Sequence, residues 1–168
     1  MDWEEKMEQD WGPVFAHESG HALMALLQGI PCHGVYFEKG TGGGRFCALS
    51  ANPSDKRSNK DYLISAAGVA AELLIYPNQN SEGAEADRKD FGSLDAPSFE
   101  GTVNEACLIL SGERGRLENL ISELKTRVRS VDFDLGRLPE VGMDGSDRRY
   151  LTLLNEKELE ACIALHHS

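Results

Sequence analysis

The chain has 168 residues, enough for one domain with a sizeable core and little else. Apolar residues make up 40% and charged residues 27%, a globular composition slightly poor in apolar side chains. The 28 acidic against 17 basic residues give a formal charge of −11, which argues against nucleic acid and anionic membrane surfaces as partners, because their phosphates would be repelled.

Residues 1–10 are polar apart from Trp3 and Met7 and read as a short amphipathic lead-in. A helix is expected from about Pro13, a residue tolerated in a first turn. It runs through Val14, Phe15, Leu23, Met24, Leu26 and Leu27, with Gly29 placed to close it. Two strand candidates follow, residues 34–38 (Gly-Val-Tyr-Phe-Glu) and 45–49 (Arg-Phe-Cys-Ala-Leu). The glycine-rich residues 40–44 join them into a hairpin. These glycines do not read as a phosphate loop, because the Gly-Lys-Ser/Thr ending and a directly following helix pattern are both missing.

Ser54 is placed to cap a second long helix through Tyr62, Leu63, Ile64, Val69, Ala70, Leu73 and Leu74, stopped by Pro77. After the turn-rich residues 77–84, a short helix is expected from about Ala84, carrying Asp87, Phe91 and Leu94, with Pro97 breaking the pattern. Helices over roughly 98–111 and 112–129 come next, the latter with Leu117, Leu120, Ile121, Leu124 and Val128 at helical spacing. Residues 130–148 are rich in Gly, Asp and Pro and read as a loop or mobile segment. Asn155 and Glu158 form a capping pair that opens a last helix. The expected fold is mostly α with a small β-hairpin, in a single domain over residues 1–168.

Cys32, Cys47, Cys107 and Cys162 are scattered, without the close spacing of a zinc ribbon or redox pair. Free thiols are expected, and with them a reducing soluble compartment, the cytoplasm or another. The acidic start, Met1-Asp2-Trp3-Glu4-Glu5, lacks the basic and apolar regions of a signal peptide. The longest apolar stretch, Ala22 to Leu27, is too short to span a bilayer.

The residues that carry chemistry are His17-Glu18-Ser19-Gly20-His21. Four apart on a helix, His17 and His21 share one face and can point at one ion. Glu18 follows its neighbour ligand by one residue and can reach a metal-held water without binding the metal. Zinc needs neutral nitrogen donors and an open fourth position to activate that water, which is the physical content of the His-Glu-x-x-His motif. Phe15 and Ala16 before the motif and Ala22 and Leu23 after it are apolar. Burying two imidazoles and a carboxylate among them is costly unless they are paired or metal-bound. A third protein ligand is required. His33 lies on the way into the first strand, and His166 and His167 look like a solvated tail. Two carboxylates remain, Glu72 on the second long helix and Asp87 on the short one, and spacing does not decide between them.

The order His17-Glu18-Ser19-Gly20-His21-Ala22-Leu23 resembles the peptidase domain of the FtsH family of membrane-bound, ATP-dependent zinc proteases. Residues 66–73 (Ala-Ala-Gly-Val-Ala-Ala-Glu-Leu) are similar to that family's Gly-Gly-Arg-Ala-Ala-Glu-Glu segment, with Val69 and Leu73 replacing its Arg and second Glu. Residues 83–87 (Gly-Ala-Glu-Ala-Asp) are similar to its Gly-Ala-Ser-Asn-Asp segment. Glu105, Ala106, Ile109, Leu110, Arg114, Leu117, Glu118 and Leu120 follow its penultimate helix pair. The resemblance spans roughly residues 13–128 and leaves 129–168 as an unassigned C-terminal extension.

The resemblance implies a zincin-like FtsH-type peptidase domain with zinc on His17, His21 and Asp87. Glu72 is then either a partner for the free N–H of a ligand histidine or a core carboxylate at a helix contact. An edge strand over residues 44–49, with Arg45, Phe46 and Cys47, is where the family holds extended substrate by main-chain pairing. The implied activity is hydrolysis of peptide bonds in unfolded or extended peptides by a zinc-activated water, with Glu18 as the base. No phosphate loop or membrane segment is present, so cleavage by the isolated chain is expected to be ATP-independent; an oligomer or a separate ATPase partner stays open. Two rival readings are a non-catalytic zinc- or peptide-binding partner subunit that keeps the peptidase fold, and a helical interaction module without metal.

Overall fold

The computed structural model describes residues 3–40, 43–50, 59–77, 84–130 and 149–164. Their elements run α1 (Trp3–Leu27), β1 (Cys32–Gly40), β2 (Gly43–Ser50), α2 (Asn59–Ile75), α3 (Ala84–Lys89), α4 (Phe99–Ser111), α5 (Arg114–Ser130), β3 (Arg149–Asn155) and α6 (Glu156–Ala164). The architecture is mostly helical with a small antiparallel sheet. Ser54, most of the turn at residues 77–84, residues 131–148 and the histidines at 166 and 167 lie outside the described residues.

Helix α1 starts well before the expected Pro13, which lies inside it. Proline removes a single N–H from the helical ladder. Residues 4–9 (Glu-Glu-Lys-Met-Glu-Gln) are strong helix formers and carry the helix past that one defect. The other end closes as expected at Gly29, whose φ of 74° suits glycine. The Gly29 N–H reaches the Leu26 carbonyl at 3.1 Å and the Ile30 N–H reaches the Ala25 carbonyl at 2.8 Å, the two bonds of a Schellman cap.

The hairpin is present. β1 and β2 pair antiparallel, with Phe37 opposite Phe46 and Glu38 opposite Arg45. A third strand, absent from the sequence reading, completes the sheet. β3 pairs antiparallel along the other side of β1, giving the order β2-β1-β3. Its partner lies far back in the chain, and pairing over such a distance leaves no local signature. β2 is therefore an edge of this sheet.

Helix α3 is shorter than expected, ending at Lys89. Phe91 and Leu94 fall in the turns beyond it. Phe91 packs against Tyr62 and Phe99, with ring centroids 5.0 and 5.1 Å away. Leu94 is fully exposed. Ser98 caps α4 by accepting from the Gly101 N–H at 2.9 Å. The Asn155–Glu158 pair closes reciprocally on α6: Asn155 Oδ1 accepts from the Glu158 N–H at 2.9 Å and Glu158 Oε1 from the Asn155 N–H at 3.3 Å. Cys32, Cys107 and Cys162 are free thiols, Cys32 buried and the other two half-buried. Among the described residues, no helix is long and apolar enough to cross a membrane.

The core is built from Phe15, Leu23 and Met24 of α1, the alanines of α2, and leucines of α4, α5, β3 and α6. Burying each large side chain among these contributes roughly 1.5–3 kcal/mol. At the centre, α1 and α2 meet through small residues. Ala66, Ala67, Ala70 and Ala71 are fully buried. A Cβ added at Gly20 would press on the Ala67 carbonyl and lie 2.6 Å from the Ala71 Cβ. This crossing predicts the sign of one substitution. In an isolated helix Gly20→Ala would stabilise by about 1 kcal/mol. Here overpacking of about 1–3 kcal/mol outweighs that gain. The expected result is a lower thermal midpoint, and a raised one would show that the helices do not touch at Gly20.

Candidate metal centre

Helix α1 places His17 and His21 one turn apart on the face that meets α2. The His21 Nδ1 lies 2.6 Å from the Ile64 carbonyl oxygen. A carbonyl only accepts, so this nitrogen carries the proton and Nε2 presents a lone pair. His17 Nδ1 faces Glu72 Oε1 at 3.5 Å, within ion-pair reach though without a directed hydrogen bond. With its proton on Nδ1, toward this carboxylate, His17 would present Nε2 as a second lone pair. The two Nε2 atoms are 3.0 Å apart. The rings stand edge to face at an interplanar angle of 78°.

Asp87, carried in by α3, completes the cluster. Its Oδ2 lies 2.9 Å from His17 Nε2 and 3.5 Å from His21 Nε2. The short contact to His17 lacks hydrogen-bond direction, and Asp87 Oδ2, although buried, has no hydrogen-bond partner. All three ligand atoms fall within 4.8 Å of one another. Gly68 of α2 lies beneath them. A Cβ there would come within 2.6 Å of both Nε2 atoms, so only glycine leaves the space free.

These groups perturb one another strongly. Burial works to lower the His17 pKa, but the close approach of the Asp87 and Glu72 carboxylates and the charges of Glu18 and Asp87 outweigh it and raise it from 6.5 to about 10. His21 is driven the same way: burial opposes its charge and Asp87 more than restores it. For Asp87, burial favours the neutral acid, and the two imidazoles overcome this and hold its pKa at about 2. The site therefore attracts positive charge.

The donor set fits a bound divalent ion. In a tetrahedral site with nitrogen donors at about 2.0–2.1 Å, donor atoms lie roughly 3.3 Å apart. The observed separations of 2.9, 3.0 and 3.5 Å bracket that spacing. Among the described residues, two imidazole nitrogens and one carboxylate oxygen could serve as ligands.

His17, His21 and Asp87 are thus brought together as expected, and Glu72 stands behind His17, not at the convergence point. Glu18 is half-buried, and its charge bears on both imidazoles. His33 lies on β1 and its side chain is outside the described residues, as are those of Arg45, Phe46 and Cys47 on edge strand β2. Sequence reasoning missed the parts played by Gly68 and the Ile64 carbonyl. A glycine in the middle of a long apolar helix was the available signal for the first; a backbone carbonyl offers none.

The pKa values give a signed prediction for metal-free protein. His17 contributes stability that is full below pH 6.5 and is lost as pH rises through about 10. Asp87 contributes stability present above pH 3.8 and lost as pH falls through about 2. Urea unfolding of chelator-treated protein should show decline on both flanks, and His17→Ala should remove most of the alkaline one. An alkaline flank unchanged in His17→Ala would assign it to another group.

The chain matches no protein-family model, and no curated protein gives a significant match.

Proposed function

We propose that this chain is a zinc metalloendopeptidase of the FtsH peptidase type. The single observation that carries the reading is the convergence of His17 Nε2, His21 Nε2 and Asp87 Oδ2, three atoms able to ligate one metal ion. The order of the ligand segments along the chain, and a glutamate beside the first histidine, support a hydrolase over a purely structural metal site. Closed structural sites use four protein ligands, whereas this one supplies three among the described residues.

Zinc, when bound, supplies a Lewis acid that makes a water nucleophilic near neutral pH and polarises a carbonyl. The chain's own residues do the rest. Glu72 and the Ile64 carbonyl hold the two rings in the tautomer that exposes Nε2. Glu18 takes a proton from the attacking water at its carboxylate and returns it to the leaving amine. Among the described residues β2 pairs with a strand on one side only, and an extended peptide adding along the other would form a further strand. That favours unfolded or extended substrates.

Two predictions test the reading. Glu18→Gln keeps size and removes the base, so zinc should stay bound while casein cleavage drops about 10²–10⁴-fold. Equal cleavage by wild type and Glu18→Gln, at equal metal content, would reject Glu18 as the base. Wild type that binds zinc and cleaves nothing would favour a non-catalytic subunit. In a zinc competition titration, Asp87→Ala should weaken binding more than Glu72→Ala, because Asp87 faces the lone pairs and Glu72 the opposite ring nitrogen. The reverse ranking would make Glu72 the ligand.

A further inference from the structure

Asp87 is the ligand with the weakest local support. It sits on α3, a helix of 6 residues, too short to hold its own position. His17 and His21, by contrast, ride on a helix of 25 residues clamped against α2. Something beyond α3 itself must fix Asp87 to within a few tenths of an ångström of the two Nε2 atoms.

The turn that follows α3 supplies this. The Asp90 N–H bonds the Asp87 carbonyl at 3.1 Å, so Asp90 and Asp87 move as one piece. Across to α2, the Ser65 hydroxyl donates to Asp90 Oδ2 at 2.9 Å. Ser65 is buried while Asp90 is exposed, so the bond ties the outer turn to the face of α2. One turn away on the same stripe of α2, Tyr62 OH lies 3.4 Å from Ser93 Oγ, and the Tyr62 ring meets Phe91. Ser65 is adjacent to Ile64, whose carbonyl orients His21, and three residues before Gly68, which gives the rings their room. One helix face thus sets both the histidines and the segment that brings the carboxylate.

Resting on the metal-centre reading, we infer that Ser65, acting through Asp90, is a positioning residue for Asp87, and that this bond tunes metal affinity. It touches neither the ion nor a ligand side chain. Its loss lets α3 drift and opens the ligand triangle on one side.

The test is a zinc competition titration on the full chain, with thermal unfolding of the metal-free protein as a second readout. Ser65→Ala and Asp90→Ala should each weaken zinc binding about tenfold, the lower end of what outer partners of ligands contribute. The double variant should be no weaker than either single, because both remove one bond. Asp90→Asn keeps a side-chain oxygen able to accept from Ser65 and should bind zinc within about threefold of wild type. Metal-free Ser65→Ala and Asp90→Asn should unfold within a few degrees of wild type, which separates positioning from general destabilisation. Zinc affinity unchanged in Ser65→Ala, or additive losses in the double variant, overturns the positioning role while leaving the metal centre intact. Wild type that takes up no zinc overturns the metal centre and this role together.

Discussion

The distance between α1 and α2 governs everything that matters here. Side chains normally hold packed helices about 8–10 Å apart. At this crossing Gly20 lies against Ala67 and Ala71, and Gly68 lies beneath the histidines of α1. Both glycines forgo helix propensity, about 1 kcal/mol each. What they provide is proximity: the Ile64 carbonyl and the Glu72 carboxylate of α2 come within reach of the Nδ1 atoms of His21 and His17. A wider crossing would leave both rings unoriented, with either nitrogen free to carry the proton.

This arrangement is a liability by itself. His17, Glu72 and Asp87 all have buried atoms without hydrogen-bond partners. Each such group costs on the order of 1–3 kcal/mol. A bound cation would offset part of that cost, and the group formed by His17, His21 and Asp87 could hold one. Phe15 and Leu23, both fully buried, put apolar surface around the histidines and make desolvation of the cluster costly.

Local features were legible in the sequence and non-local ones were not. The Gly29 cap, the Ser98 region, the Asn155–Glu158 box and the hairpin register all rest on residues a few positions apart, and each formed as the chemistry of those residues dictates. Pro13 misled because a proline that suits a first turn is also tolerated inside a helix when strong formers precede it. β3 was missed because its partner strand is over a hundred residues away. At the site, the spacing of His17 and His21 was enough to place both on one face. The choice of Asp87 over Glu72 could not come from spacing, since both approach the same ring from different sides, Nε2 and Nδ1. Only the tautomer, set by partners distant in sequence, decides which side faces the ion.

Two occupants could satisfy such a triangle, a pair of ring protons or one divalent cation. They carry the same charge, so electrostatics alone does not separate them. The raised His17 pKa and the lowered Asp87 pKa record how strongly the carboxylates favour positive charge on the rings. Direction separates them. A proton serves two atoms along nearly a straight line and loses most of its worth when bent. An ion needs only lone pairs that converge on a point. Asp87 Oδ2 comes to 2.9 Å from His17 Nε2 and still makes no directed hydrogen bond, whereas the two Nε2 atoms, 3.0 Å apart, are placed so that one ring can donate to the other. For the carboxylate oxygen, convergence without alignment suits a cation better than a shared proton, and the two histidines and one aspartate form a group that could hold one.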